Sequence, residues 1–370
     1  MKIAIVHDYI KEYGGAERVL EELIRIFPNA HVYTTIYMPE FLGPHRDRFE
    51  KYKIQTSFLQ YVPFNGKLIS PLRLLSPFAF KGFDFKDYDV ILVSQTGAYF
   101  PNSVRKIKNQ KLITYTHTPP RYLYGYKTAR NLSKNKFIYL LTLFMNHFLR
   151  MVDFKSAQNV DQFIANSLEV KGRIEKFYRR DAVVVYPPVE VSSKYQVESI
   201  KEKARFTSYY LTGGRLARAK GIDVIVKAFN KNGLSLKIFG KGFAGFEEEL
   251  RGIAKENIEF VGEVTDEQKF GLMANAKAFI FASYDEDFGI TPVEGMGVGT
   301  PVIAYKSGGV KETVEEGVSG LFYEKNTPEE LNKVIKKFEG MQFDTAKIKS
   351  SVTKFSVEEF DRNIKEIVGA

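Results

Sequence analysis

Two doubly wound α/β domains, each a parallel sheet covered on both faces, are the fold this sequence predicts. Three observations carry the prediction. A chain of 370 residues is longer than one hydrophobic core usually organises, so two domains are expected. Short apolar, β-branched runs alternate with amphipathic helical patterns almost throughout, and uninterrupted apolar strands separated by helices belong to parallel sheets. Each half also opens alike, with a strand running into Gly-Gly and then a helix: "IAIVHDYIKEYGGAERVL" in the first, "YYLTGGRLARAKGIDVIV" in the second.

In chain order, "KIAIV", "VILVS", "LITYT", "FIAN" and "AVVVYP" read as the strands of the first half. "YYLTG", "LKIFG", "IEFVG", "AFIFAS" and "PVIAY" read as those of the second. The stretches "AERVLEELIRIF", "IDVIVKAFN" and "EEELRGIAKEN" carry helical periodicity between them. The boundary lies in "YPPVEVSSKYQVESIKEKARF", residues 186–206, which breaks at Pro187-Pro188 and continues polar, as linkers do. The expected organisation is an N-terminal domain at 1–190, a linker at 191–204 and a C-terminal domain at 205–352. An amphipathic helix in 353–370, containing "FSVEEFDRNIKEIV", is expected to pack back on the first domain. Two such domains facing each other would hold ligands in a deep cleft outside the carboxyl ends of their strands.

Composition removes several chemistries. The absence of cysteine excludes disulfides, thiolate metal sites and a cysteine nucleophile, and fits a reducing compartment. The opening "MKIAIV" reads directly as a strand, without the charged head and cleavage site of a signal peptide. The longest apolar run, Phe137 to Leu149, includes Asn146 and His147 and is too short to span a bilayer.

Charge is unevenly placed. Residues 1–190 hold 28 Lys and Arg against 17 Asp and Glu, whereas residues 191–370 hold 26 against 27. Lys51 to Lys81 contains five basic residues and no acid, interleaved with Phe58, Tyr61, Phe64, Leu68, Leu72, Leu74, Leu75, Phe78 and Phe80. A basic, aromatic face suits an anionic membrane surface, with Lys67, Arg73 and Lys81 contributing on the order of 1 kcal/mol each near it. The plainer reading makes the aromatics core and the lysines a solvated rim. No nucleic-acid-binding module accompanies the basic residues, so a nucleic-acid partner is not expected.

The richest stretch is "EDFGITPVE", where Glu286 and Glu294 are separated by seven residues. The plain reading of "TPVE" is a capping box, with Thr291 as N-cap, Pro292 at the first helical position and Glu294 three residues on. Three neighbours point further. The stretch follows the apolar strand "AFIFAS", at the end where α/β sites form. "GMGVGTPVIAYKSGG" is richer in glycine than a cap requires. A helix N-terminus preceded by Phe288, Gly289 and Ile290 is a seat for phosphate. A carboxylate beside phosphate would repel it, so Glu294 should meet a neutral hydroxyl-bearing group such as ribose, and Glu286 a sugar. Arg215 and Lys220 of "GGRLARAKG" would neutralise a diphosphate. That turn matches neither a dinucleotide fingerprint nor a P-loop.

These motifs resemble the donor-site signature of retaining glycosyltransferases of GT-B fold, family four, whose mark is E-x7-E. "GGAERV", "YTHTPPRYLYGY" and "FIANS…VVVYPPVE" extend the resemblance over nearly the whole chain. The resemblance implies that Arg215 and Lys220 bind the diphosphate and stabilise the leaving nucleotide. Glu294 would hold ribose, and Glu286 hexose hydroxyls. The N–H groups of Phe288, Gly289 and Ile290 would lie near sugar and phosphate. Gly14, Gly15 and Gly214 would allow close backbone approach, and Val261, Gly262 and Glu263 would lie near the base. His117, in "THTPPR", would sit by the sugar, its plain alternative being a satisfied structural histidine. Asp8 and Arg121 are acceptor-side candidates, Arg121 pairing either an acceptor phosphate or a nearby acid. Glu17 could simply favour its helix N-terminus.

Glycosyl transfer builds negative charge on the departing diphosphate, and preorganised Arg and Lys stabilise it through charge-assisted bonds of roughly 1.5–3 kcal/mol each. No D-x-D motif is placed for a metal, so neither metal nor cofactor is expected. The expected protein is a cytoplasmic enzyme, peripheral at the inner face of the cell membrane. It would transfer a hexose from a nucleotide diphosphate sugar to a lipid-linked or polysaccharide acceptor. "GGAERV" with "HTPPRYLYGY" looks most like the branch with mannosyltransferases of surface polysaccharide synthesis, making GDP-mannose the expected donor. A sugar-nucleotide epimerase of the same fold and a non-catalytic sugar-nucleotide-binding protein are the alternatives.

Overall fold

A computed structural model describes residues 1–126, 136–190 and 209–369. The expected linker at 191–204 and the first residues of the expected second domain lie outside these. Two compact units emerge. The first comprises Met1–Tyr126, the segment ending at Pro188 and the C-terminal stretch from Glu358; the second runs from Val189 to Val357.

The first unit is built on seven parallel strands: β1 (Ile3–His7), β2 (His31–Thr34), β3 (Ile54–Thr56), β4 (Val90–Gln95), β5 (Lys111–Thr116), β6 (Gln162–Ala165) and β7 (Ala182–Val184). Their order is β3-β2-β1-β4-β5-β6-β7. Successive residues of a strand point to opposite faces, and both faces of this sheet are apolar. Ala4, Val6, Ile91 and Val93 enter one core cluster, and Ile3, Ile5, Val90 and Leu92 enter the other. That double burial explains why β1 and β4 read as unbroken apolar runs.

Helix Gly15–Ile26 covers the second face through Val19, Leu20, Leu23 and Ile24, the spacing of one helical stripe. The C-terminal helix Val357–Val368 adds Phe360, Ile364 and Val368 to the same cluster. Phe360 meets Tyr115 edge-to-face at 5.7 Å, and Asp361 pairs with Arg25. This helix starts at Val357, after a short turn at Thr353–Phe355.

The second unit has six parallel strands: β8 (Tyr209–Gly213), β9 (Ser235–Phe239), β10 (Ile258–Gly262), β11 (Phe279–Phe281), β12 (Val302–Tyr305) and β13 (Gly320–Tyr323). The order is β10-β9-β8-β11-β12-β13. Helix Ile222–Asn232 buries Ile222, Ile225, Val226 and Phe229 in its core. In both sheets the order reverses beside the first strand, between β1 and β4 and between β8 and β11. Ligand crevices form at the carboxyl ends of the strands at such points.

Candidate active site

At the second unit's reversal point, β11 leads into the loop Ala282–Gly289 and β8 into Gly214–Gly221. The two loops are fastened together. Tyr284 N–H donates to Ala219 O at 2.9 Å. On the other side, Gly309 N–H donates to Glu286 O at 2.8 Å, and Asp285 N–H to Ser307 Oγ at 3.1 Å. Glu286 and Gly308 form an isolated parallel bridge. Gly308 has φ +68°, and a Cβ there would lie 2.2 Å from Glu286 O. Only glycine fits. The "SGG" of residues 307–309 thus sets the backbone that carries Glu286.

Lys220 Nζ reaches both carboxylate oxygens of Glu286, at 3.0 and 2.7 Å, and Ser283 Oγ donates to the same carboxylate. The cation assigned from sequence to diphosphate and the acid assigned to sugar therefore form one partly buried pair. Arg215 is exposed, its guanidinium 5.9 Å from the Phe243 ring centroid. Gly214, at φ +112°, precedes it.

The capping-box expectation for "TPVE" is corrected. The helix runs Ile290–Gly297, and Gly289, at φ +91°, is its N-cap with no side-chain cap bond. Left-handed Gly289 starts the helix before Thr291, so Thr291 is already helical. Glu294 is 2% exposed and accepts from Lys269 Nζ at 2.7 Å. Lys269, 6% exposed, also reaches Asp266 Oδ1 at 3.1 Å. The sequence reading missed Lys269. Its one signal was a lysine on helix Asp266–Ala274 at a position flanked by the buried Phe270, Met273 and Ala274.

Phe288 is buried, its ring edge-on to Phe355 at 5.2 Å, and Ile290 is half-buried at the helix start. Val261 and Gly262 end β10, and Glu263 lies 3.4 Å from Lys241 Nζ.

At the first unit's reversal point, His7, Ser94 and His117 meet. Ser94 Oγ is 3.1 Å from His7 Nδ1 and 3.0 Å from His117 Nε2. Burial holds the His117 pKa down at about 3, with His7 adding to the shift and Glu17 opposing it. The ring is therefore neutral at physiological pH. Gly14 is the N-cap of helix Gly15–Ile26, and Glu17 accepts its N–H at 2.9 Å. His7 and Ser94 carried no role in the sequence reading.

Asp8 is fully buried. Its carboxylate accepts from Thr96 Oγ1 at 2.6 Å, Ala98 N at 3.0 Å and Tyr99 N at 2.9 Å. It organises the loop after β4. Burial raises its pKa, against the nearby His7 and these hydrogen bonds. Arg121 is half-buried in the short turn Arg121–Leu123.

The basic face divides. Lys67 and Lys81 are exposed. Arg73, expected to share that face, is half-buried, with its guanidinium 4.0 Å from the Tyr122 ring centroid and Nε donating to Ser70 O at 2.7 Å. Leu72 and Phe80 are core. Of the 19 large apolar side chains exposed among the described residues, 12 fall within residues 58–78 and 140–154, so exposed apolar surface is concentrated there. Leu140, Leu143, Phe144, Phe148, Met151 and Phe154 fall on one face of helix Lys136–Ala157, as one stripe. Leu149 of this helix packs with Leu74 and Leu123, which joins the two segments. The one acid of this helix, Asp153, is buried and accepts hydrogen bonds from Tyr124 and Tyr178. Among the described residues no helix is long and apolar enough to cross a membrane. Among the same residues, no group of three or more His, Asp and Glu is placed to hold a metal ion.

Residues 13–193 match the family described as Glycosyltransferase Family 4, and residues 196–354 that described as Glycosyl transferases group 1. The alpha-1,3/1,6-mannosyltransferase ALG2 of Dictyostelium discoideum is 25% identical over 427 aligned positions, covering 100% of this chain and 98% of the relative. An uncharacterized glycosyltransferase of Methanocaldococcus jannaschii is 28% identical over 180 residues, 48% of this chain and 49% of the relative. Among solved structures, Anabaena HepE in complex with UDP and glucose superposes with a TM-score of 0.73 at 19% identity, covering 100% of both chains. The lipopolysaccharide outer core galactosyltransferase WaaB gives 0.65 at 18%, covering 100% of this chain and 99% of the other. At these identities the structures establish the fold. Fold and both family matches agree: the chain is a glycosyltransferase of GT-B type and belongs to family 4.

Proposed function

We propose that this enzyme is a retaining, metal-independent hexosyltransferase that moves mannose from GDP-mannose to a lipid-linked or polysaccharide acceptor. The observation that carries the reading is the paired arrangement of Glu286 with Lys220 and Glu294 with Lys269 at the reversal point of the second sheet. Two carboxylates there suit the two hydroxyl-bearing ends of a nucleotide sugar. The Lys220–Glu286 pair keeps both groups neutralised until the donor divides them, diphosphate taking Lys220 and hexose hydroxyls taking Glu286. Arg215 supplies the second cation. Glu294, held by Lys269, serves ribose, and the helix start at Phe288, Gly289 and Ile290 offers N–H groups to phosphate. Gly14, Gly15 and Gly214 leave room for the donor's backbone contacts, Val261 lies near the base and His117 serves the hexose. UDP and UDP-glucose complexes of Anabaena HepE support a nucleotide sugar as substrate class, and the ALG2 relatives support mannose.

In the reaction the bond between the anomeric carbon and the diphosphate oxygen breaks, and its electron pair stays with the diphosphate. The acceptor oxygen attacks from the same face while its proton passes to the departing phosphate. Arg215 and Lys220 stabilise the charge that develops there, the role a metal fills elsewhere. Asp8 and Arg121 belong to the acceptor side, Asp8 by shaping the loop after β4. The apolar stripe of helix Lys136–Ala157, with Lys67 and Lys81, fits an anionic membrane surface, so the enzyme acts as a peripheral protein at the inner face of the cell membrane. Calorimetric titration with GDP-mannose, UDP-glucose and UDP-galactose tests the donor assignment. GDP-mannose should bind most tightly, and preference for a uridine nucleotide would overturn it.

A further inference from the structure

One row of buried polar groups in the first unit extends beyond the residues given roles above. It runs Glu17, His7, Ser94, His117. Glu17 Oε1 lies 3.7 Å from His7 Nε2, and Glu17 Oε2 accepts the Gly14 N–H. His7 is fully buried, and its Nε2 has no hydrogen-bond partner. Its Nδ1 and His117 Nε2 share the Ser94 hydroxyl, at 3.1 and 3.0 Å. The members come from the ends of β1, β4 and β5 and from the first turn of helix Gly15–Ile26.

Proton counting gives this row a direction. A serine hydroxyl has one proton to donate and can accept others. A neutral imidazole has one N–H and one lone pair. A carboxylate facing His7 Nε2 favours a proton on that nitrogen, because a lone pair there would be repelled by it. His7 Nδ1 is then an acceptor and takes the Ser94 proton. Ser94 Oγ in turn accepts from His117 Nε2–H.

We propose that His7 and Ser94 are positioning residues that hold His117 with its proton on Nε2, so that its Nδ1 lone pair is presented to a hydroxyl of the transferred sugar. Burial keeps the His117 ring neutral, so Nδ1 has no proton of its own once Nε2 carries one. The ring retains 8% exposure, and Nδ1 is the nitrogen not spent on Ser94. Glycosyl transfer passes through a state with positive charge at the sugar ring. A neutral acceptor beside it does not oppose that charge, whereas an N–H donor would. The same row joins His117 to the Gly14 N–H through Glu17, coupling the ring to the glycine loop. The sugar contact rests on the function proposed above; the proton arrangement does not.

The test is long-range 1H–15N correlation on full-length protein with 15N-labelled histidine at neutral pH, without ligand. His117 is assigned among the five histidines by His117→Gln. A protonated Nε2 and a bare Nδ1 are expected; a protonated Nδ1 would overturn the proposal. Ser94→Ala should populate both tautomers and lower kcat about tenfold with donor KM within about twofold, and Ser94→Thr should restore both readings. A Ser94→Ala protein that keeps the wild-type tautomer pattern would also overturn it. If Ser94→Ala fails to fold, the wild-type spectrum still decides. The expected spectrum in a protein that turns over no nucleotide sugar would sink the sugar contact and leave the tautomer assignment standing.

Discussion

Lys269 Nζ lies 2.7 Å from Glu294 Oε1, with both side chains withdrawn from solvent. Removing one partner of such a pair strands the other charge, which typically costs about 3–5 kcal/mol. Lys269→Met should therefore lower the melting temperature sharply. Adding Glu294→Met should recover most of that loss, since well-packed apolar pairs often replace buried ions without penalty. Donor affinity should not recover, because the ribose contact is gone. A double variant that binds donor normally would remove Glu294 from the site.

Glu286→Gln addresses the second pair. The amide cannot hold Lys220 as the carboxylate does, so the lysine is freed for phosphate. GDP should bind several-fold more tightly, a gain on the order of 1 kcal/mol, while transfer falls about a hundredfold or more. Titration and initial rates measured on the same preparation check both. Weaker GDP binding would contradict the competition between Glu286 and diphosphate.

Arg215→Ala should abolish turnover while leaving the melting temperature nearly unchanged, since the side chain is exposed and surface substitutions shift stability by about 0.5 kcal/mol or less. Rates close to wild type would remove the diphosphate assignment.

Two buried groups of the first unit give opposite pH dependences. Burial raises the Asp153 pKa to about 7, while hydrogen bonds from Tyr124 and Tyr178 oppose the shift. Between the ordinary carboxylate pKa of about 4 and this raised value, the folded protein keeps a proton that the unfolded chain has lost. Stability therefore falls as pH rises through that window. His117 has the reverse sign: its folded pKa is about 3, so its contribution is present above the unfolded value of about 6.5 and is lost as pH falls. Relative to wild type, Asp153→Asn should gain stability from pH 5 to 7, and His117→Gln should gain as pH falls from 6.5 to 4. Urea denaturation across pH reads both. Parallel curves for wild type and variant would contradict the corresponding burial argument.

The apolar stripe predicts vesicle binding. The protein should float with phosphatidylglycerol-containing liposomes, and Phe144→Asp with Phe148→Asp should abolish flotation without changing the fold. Lys67→Glu with Lys81→Glu should weaken it and flatten its salt dependence, because the attraction that salt screens is removed. Flotation unaffected by either pair would end the membrane assignment.

Much of this was legible in the sequence because double burial writes strands as apolar runs. β1, β4, β5, β8 and β12 were visible for that reason. Two edge strands were not: β3 is the three-residue "IQT", with no buried residue, and β13 begins with Gly320; β2, the four-residue "HVYT", was missed as well. The loop of Glu286 was visible through its glycines and its spacing. The cap was misread because Gly289 adopts φ +91°, a choice that "TPVE" alone conceals. The partners of both glutamates lay beyond reach for a different reason. Lys269 is 25 residues from Glu294, and Lys220 is 66 from Glu286; only the folded sheet brings such positions together. Arg73 looked like a surface cation until Tyr122 covered it.

The central claim is transfer of a hexose from a nucleotide sugar, and the most direct measurement is label transfer. Purified protein would be incubated with GDP-[14C]mannose and, separately, with labelled UDP-glucose, in membrane lipid extract, with and without EDTA. Label from GDP-mannose should enter the lipid fraction equally in both conditions, and Arg215→Ala should give none. A protein that binds a donor yet passes label to no acceptor would contradict the account, and loss of transfer with EDTA would contradict its metal independence.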